Sequence, residues 1–189
     1  MVKTMSIRGL GAPPDDPEKA AGEEAARQHR LRALGITAQP DREFDEIAHG
    51  LARALGTPHA MVNVFLDQTQ VFIGLHTPSM QHSLVLHDTA RMSRIMSRDK
   101  GFCPLTVRRR VPLAIKNVFG VPLFASNDVV DRFQVQTYLG APLIDHTGTA
   151  LGTTCVVGNE PRDWQQSHVE LIKSTARDVL DLMYQRRQR

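Results

Sequence analysis

The chain has 189 residues, 41% of them hydrophobic and 23% charged, the proportions of an ordinary globular domain. A net charge of +3, from 23 Lys and Arg against 20 Asp and Glu, is too balanced for the basic footprint of a nucleic-acid binder. No apolar run approaches the ~20 residues that span a bilayer, no hydrophobic signal core opens the chain, and two cysteines without CxxC spacing argue against a disulfide framework or a zinc ribbon. The expected compartment is the cytoplasm.

Residues 1–16, with Gly9, Gly11, Pro13 and Pro14, read as a flexible leader. Residues 17–34 are rich in Ala, Glu and Arg and favour a helix. Its apolar content (Ala21, Ala25, Leu31, Leu34) is thin, so it must lean on something else. Gly35 ends it, and residues 35–189 form the main domain. There Phe44, Ile47, Ala48, Leu51 and Leu55 recur at helical spacing, with Asp41, Glu43, Asp45 and Glu46 at the positive end and Gly56 and Pro58 as the stop.

HAMVNVFLD and QVFIGLH follow, joined by a turn at Asp67–Thr69, and Val62, Val64 and Leu66 alternate with Met61, Asn63 and Phe65 as in a hairpin. Residues 77–88 read as irregular. TARMSRIMSR (89–98) reads as a short helix capped by Asp88 or Thr89, FCPLTVRR as a helical turn, VPLAIKNV as a strand, and GVPLFASNDVVDRF as a loop or broken helix. FQVQTYLGAPLI and TALGTTCVV form a second hairpin about Asp145–Gly148. After a turn at Asn159–Arg162, Asp163 can cap a final helix from Trp164 to about Arg187. In it Val169, Ile172, Ala176, Val179 and Met183 make a narrow 3-4-3-4 seam of the coiled-coil type, which predicts a dimer interface. Segregated helices and hairpins imply an α+β fold with an antiparallel sheet.

The sequence has no glycine-rich phosphate loop, HExxH or GxSxG. Cys155 shares a predicted strand face with Leu151, Thr153 and Val157, as core filler would. Cys103 precedes a proline at a possible helix start and stands just before Arg108, Arg109 and Arg110. It reads either as a packed thiol or as a reactive, ligand-contacting one. His82 and His87, with His76, stand around the irregular insert, either as polar loop residues or as haem ligands, but their spacing makes no metal motif. Phe72, Phe102, Phe119, Phe124, Phe133 and Tyr138 could wall a small-molecule site or fill a core, and Asn117 and Asn127 could orient a polar ligand or sit in turns.

The ordered pieces LRALGI (31–36), PDREFDEIAHGLARALGTPHAMVNVFLD (40–67), FC (102–103), VPL (111–113), TYLGAPLIDHTGTALGTTCVV (137–157) and EPRDW (160–164) resemble a GAF domain of the kind found in bacterial signalling proteins. The resemblance spans about residues 31–187. It implies a six-stranded antiparallel sheet with terminal helices on one face and a pocket walled by loops and short helices on the other. It also implies frequent dimerisation through those helices. The spaced Asn-Lys-Phe-Asp-Glu signature of cyclic-nucleotide-binding members is not matched around Lys116–Phe133. The expected function is therefore a small-molecule-binding signalling module, with Phe72, His82, His87, Phe102, Cys103, Asn117, Phe119, Phe124 and Tyr138 at an unidentified ligand. The module would be a homodimer acting on a separate signalling protein, since no output segment follows Arg189. Alternatives are a thiol redox enzyme or sensor using Cys103, similar to free methionine-R-sulfoxide reductase, and a haem-based sensor through His82 or His87.

Overall fold

The computed structural model describes residues 16–78, 94–121, 124 and 128–187; the expected leader lies outside them apart from Asp16. That residue caps the first helix, α1 (Pro17–Ala33), where its carboxylate accepts from the amides of Glu18 and Lys19. Leu31 and Leu34 are buried but Ala21 and Ala25 are exposed, so α1 is held largely by polar contacts. Buried Arg27 donates from Nε to the Ala150 carbonyl at 2.5 Å and ion-pairs with Glu24, and Arg30 pairs with Asp145 at 2.6 Å. Helix α2 (Arg42–Leu55) begins at Asp41, which caps the Glu43 and Phe44 amides, and ends at Gly56 in the left-handed region (φ 58°). Its predicted stripe is its buried face, with Ile47 partly covered.

Six strands follow: β1 (His59–Leu66), β2 (Thr69–His76), β3 (Ile95–Ser97), β4 (Leu113–Ile115), β5 (Thr137–Ile144) and β6 (Ala150–Gly158). They form one fully antiparallel sheet in the order β3-β2-β1-β6-β5-β4. Between them lie α3 (Cys103–Arg109), a 3₁₀ turn (Val118–Gly120) and α4 (Asp128–Phe133), and α5 (Gln166–Arg187) closes the chain. The sheet separates two cores. On one face α1, α2 and α5 meet Val62, Val64, Ile73, Leu139, Leu143 and Val156. On the other, α3 and the turns near it meet Met61, Phe65, Phe72, Tyr138, Cys155 and Val157.

Four local expectations are corrected. Ile95–Ser97 is a strand rather than part of a helix. It pairs with Thr69–Val71, and the Gln70 amide fastens the following turn by donating to the carbonyls of Ser97 (2.9 Å), Arg98 (3.2 Å) and Lys100 (2.7 Å). Asp163 does not cap α5: it pairs with Lys116 at 2.8 Å, and the Gln165 amide donates to His168 Nδ1 at the helix entry. Leu151 leaves the face of Thr153, Cys155 and Val157, because an irregularity opposite Leu143 and Ile144 places it in the helix-side core.

The fourth concerns the seam of α5. Ile172, Ala176, Val179 and Met183 are buried in the chain's own helix-side core, with Val169 packed at its edge. The 3-4-3-4 spacing is met within one chain. At the far end of α5, Arg186 pairs with Asp41 and Glu43 and stacks over Phe44, with 4.8 Å to the ring centroid.

Candidate functional site

The face of the sheet away from the terminal helices holds the buried polar side chains of Asn63, Gln70, Thr106 and Thr153 together with two sulfurs. α3 starts at Cys103 with Pro104 in its first turn, where proline is tolerated, and buries Cys103, Leu105, Thr106 and Val107. Cys155 comes from the middle of β6, across the sheet from Met61 and Gly140. The two Sγ atoms stand 3.6 Å apart, and both thiols are free.

Tyr138 completes the cluster. Its hydroxyl lies 2.8 Å from Thr106 Oγ1 and 3.8 Å from Cys103 Sγ, and its ring packs on Phe102 with centroids 5.2 Å apart. The phenol folds back over its own strand, which requires glycine two residues on. A Cβ at Gly140 would lie 2.1 Å from the Tyr138 hydroxyl. Phe124 closes the other side of Phe102 edge-on at 4.9 Å.

Beside the sulfurs lie Asn63 and Thr153, cross-strand partners on β1 and β6 and both fully buried. The Asn63 amide donates to Gln70 Oε1 at 2.9 Å. Among the described residues neither Asn63 Oδ1 nor Thr153 Oγ1 has a hydrogen-bond partner. Such atoms are rare in a packed core, where nearly every buried polar group is satisfied.

The electrostatics are asymmetric. Hydrogen bonding from Cys155 draws the Cys103 thiol below its ordinary value against the opposing effect of burial, and the Tyr138 hydroxyl acts in the same direction. The Cys155 thiol is pushed up, first by its bond to Cys103 and then by burial. Burial also pushes the Tyr138 phenol well above its usual range, so it remains a neutral donor.

Of the residues expected at a ligand, Phe72, Phe102, Cys103, Phe124 and Tyr138 converge on this face. Phe119 does not: it is 63% exposed. Asn117 Oδ1 accepts from the Phe119 amide at 3.0 Å and caps the 3₁₀ turn, so it is a turn residue. His82, His87 and Asn127, together with the Phe133 side chain, lie outside the described residues. Sequence reasoning did not single out Asn63, Gln70, Thr106 or Thr153 as site residues. The available signal was Asn63, a polar residue between Met61 and Phe65 on one side of an apolar alternation. Among the described residues no three His, Cys, Asp or Glu side chains converge as a metal site, and no helix is long and apolar enough to cross a membrane.

A family model described as GAF domain matches residues 39–179, well over half of the chain. The chain belongs to the GAF family. Helix α1 lies before the matched region of this GAF domain, yet it is joined to it through Arg27, Arg30 and Glu24, the last pairing with Arg98. The sequence is 27% identical over 175 residues to a cyclic di-GMP phosphodiesterase of Pseudomonas aeruginosa; the match covers 89% of this chain and 26% of the phosphodiesterase. The chain thus spans about a quarter of that curated relative.

Among solved structures the GAF fold is shared with the blue-light-absorbing form of the PixJ GAF domain of Thermosynechococcus elongatus. There the TM-score is 0.59 and the identity 15%, over 88% of this chain and 92% of that one. It is shared also with a type II free methionine-R-sulfoxide reductase of Thermoplasma acidophilum, at TM-score 0.56 and 10% identity over 86% and 96% of the two chains. Identities this low show the fold alone. The six-stranded antiparallel sheet that the resemblance implied is the sheet observed.

Proposed function

We propose that this GAF domain is a regulatory module that binds a small polar molecule on the α3 face of its sheet and passes the occupancy to a signalling protein through the terminal helices. One observation carries the reading: Asn63 Oδ1 and Thr153 Oγ1 are buried without a partner among the described residues, side by side, next to Tyr138 and the two thiols. A face built only for cohesion gains nothing from these groups, whereas a recognition site needs a few fixed polar atoms in apolar walls. The route outward is short. Thr153 and Cys155 sit on β6, whose neighbour Val156 packs in the same helix-side core as Ile172, Ala176 and Val179 of α5. The similarity to a phosphodiesterase of a signalling nucleotide supports a role in signalling, and the ligand of this chain is a separate question. A ligand switches the module only by binding two arrangements of these helices unequally.

The test is Thr153→Val, compared with wild type by native mass spectrometry of protein purified from its host and by thermal shift against cyclic nucleotides, free amino acids and haem. The expected result is a variant more stable by about 1 kcal/mol, because an unpaired hydroxyl has been removed, that loses a co-purified mass or a thermal shift seen in wild type. A variant that is destabilised while binding unchanged overturns the reading, because Thr153 is then structural. Wild type that carries no extra mass and responds to no compound also counts against it.

A further inference from the structure

We propose that Cys103 and Cys155 form a reversible dithiol–disulfide switch, oxidised by a hydroperoxide, that fastens α3 to the centre of the sheet. The geometry is specific. The cysteines stand 52 positions apart in sequence, on different elements, and yet their sulfurs are 3.6 Å apart and both are reduced. A disulfide needs about 2.05 Å between sulfurs, so closure requires an approach of about 1.5 Å. α3 is a short helix with turns at both ends: Gly101 precedes it at φ 74° and Arg110 ends it at φ 58°. A movement of that size falls on these turns and not on the β6 ladder.

The surroundings suit thiol chemistry better than plain packing. Tyr138 directs its hydroxyl at Cys103 Sγ, and Thr106 holds that hydroxyl in place. Thr153 Oγ1, without a partner among the described residues, shares the face of the pair. The Tyr138 hydroxyl can stabilise charge on Cys103, and Cys155 is the neighbouring sulfur that can trap an oxidised form of it. Access is unequal in the same sense: Cys103 is 6% exposed and Cys155 0%.

The chemistry closes in two steps. The Cys103 thiolate attacks the outer oxygen of the hydroperoxide, forming a sulfenic acid as the O–O bond breaks and the alcohol leaves with a proton. Cys155 sulfur then attacks Cys103 Sγ. The S–S bond forms, the S–O bond breaks, and water leaves with the Cys155 proton. Two thiols and one hydroperoxide become one disulfide, one alcohol and one water; sulfur loses two electrons and the peroxide gains them. A dithiol reductant returns both protons and electrons. The product ties α3 to β6 and draws Cys103 away from the Tyr138 hydroxyl. The switch stands whether or not a metabolite binds beside it.

The experiment treats the full chain with a small excess of hydrogen peroxide, alkylates it under denaturing conditions and measures intact and peptide masses. The expected product has lost about 2 Da and both alkylatable thiols, carries a 103–155 linked peptide, melts at a higher temperature and reverts in dithiothreitol. Cys155→Ser should accumulate a dimedone-reactive sulfenic acid at Cys103, and Cys103→Ser should leave Cys155 unoxidised. Recovery of both thiols from wild type, further oxidation of Cys103 without a disulfide, or a link between two chains instead of within one overturns the proposal. The wild-type measurement needs no variant to fold. Failure here leaves the Thr153→Val result untouched, so the two readings fail separately.

Discussion

The two faces of the sheet are built from the same strands and do different work. On the helix side, residues pointing from β1, β2, β5 and β6 are mostly hydrocarbon, and three helices cover them with hydrocarbon. Arg186 pairs with Asp41 and Glu43 at the rim, and Arg30 pairs with the buried carboxylate of Asp145. On the α3 side the same strands present Asn63, Gln70, Thr153, Cys155 and Tyr138 within an apolar surround. The first face supplies cohesion. The second holds polar and sulfur groups in fixed positions, the arrangement on which the proposed site rests.

The hardest test of that contrast is a charge in the helix-side core. Ile172→Lys should cost about 4 kcal/mol or more, because an ammonium would be buried without a partner. Urea unfolding reads the loss directly. A folded variant of normal stability and altered solution mass would return the α5 seam to the dimer interface originally expected of it.

Next in size is Gly140→Ala on the other face. The new methyl would occupy the position of the Tyr138 hydroxyl, and overpacking of this kind costs about 1–3 kcal/mol. The added expectation is a changed alkylation rate at Cys103 once the phenol moves. An unchanged rate would show that Tyr138 does not govern that thiol.

Tyr138→Phe isolates the hydroxyl from the ring. It should cost about 1 kcal/mol in thermal or chemical unfolding. Thr106 Oγ1 then keeps only the Phe102 carbonyl at 3.4 Å. The alkylation rate of Cys103 should fall with it, because a donor to the thiolate has gone. A larger stability loss with unaltered reactivity would make this face a core like its opposite.

The smallest effect belongs to the rim. Arg186 holds the Asp41 carboxyl below its ordinary value by hydrogen bonding to it. A carboxylate lowered in the folded state adds stability that is present above the ordinary carboxylate range and is lost as pH falls through the lowered value. Arg186→Ala should therefore cost up to about 1 kcal/mol near neutral pH and flatten the acid limb of stability against pH. A cost that persists unchanged in acid would assign Arg186 to packing on Phe44 instead.

Much of the fold was legible because local rules and the final packing agree. Asp41 and Gly56 punctuate α2, the alternation of β1 sets its two faces, and Gly148 at φ 80° makes the second hairpin turn. Where they disagreed, a distant partner prevailed. Ile95–Ser97 is a strand because the edge of β2 and the Gln70 amide receive it, and Asp163 answers Lys116 rather than its own helix. Of the residues buried on the α3 face, Phe72, Phe102, Phe124, Tyr138 and Cys103 could be named in advance. Phe119 and Asn117 could not be told apart from turn residues, since chain position near a site does not say which way a side chain is held.

Hydrophobic periodicity, caps and turn glycines are short-range signals, and they were enough to determine the α+β class, the two hairpins and the amphipathic helices. The direction in which α5 turns its seam, the crossing of Leu151 to the other core and the meeting of Cys103 with Cys155 were decided only in three dimensions. The reason is physical: each depends on contacts between segments tens of residues apart, and a one-residue irregularity in a strand is enough to send a side chain to the opposite face.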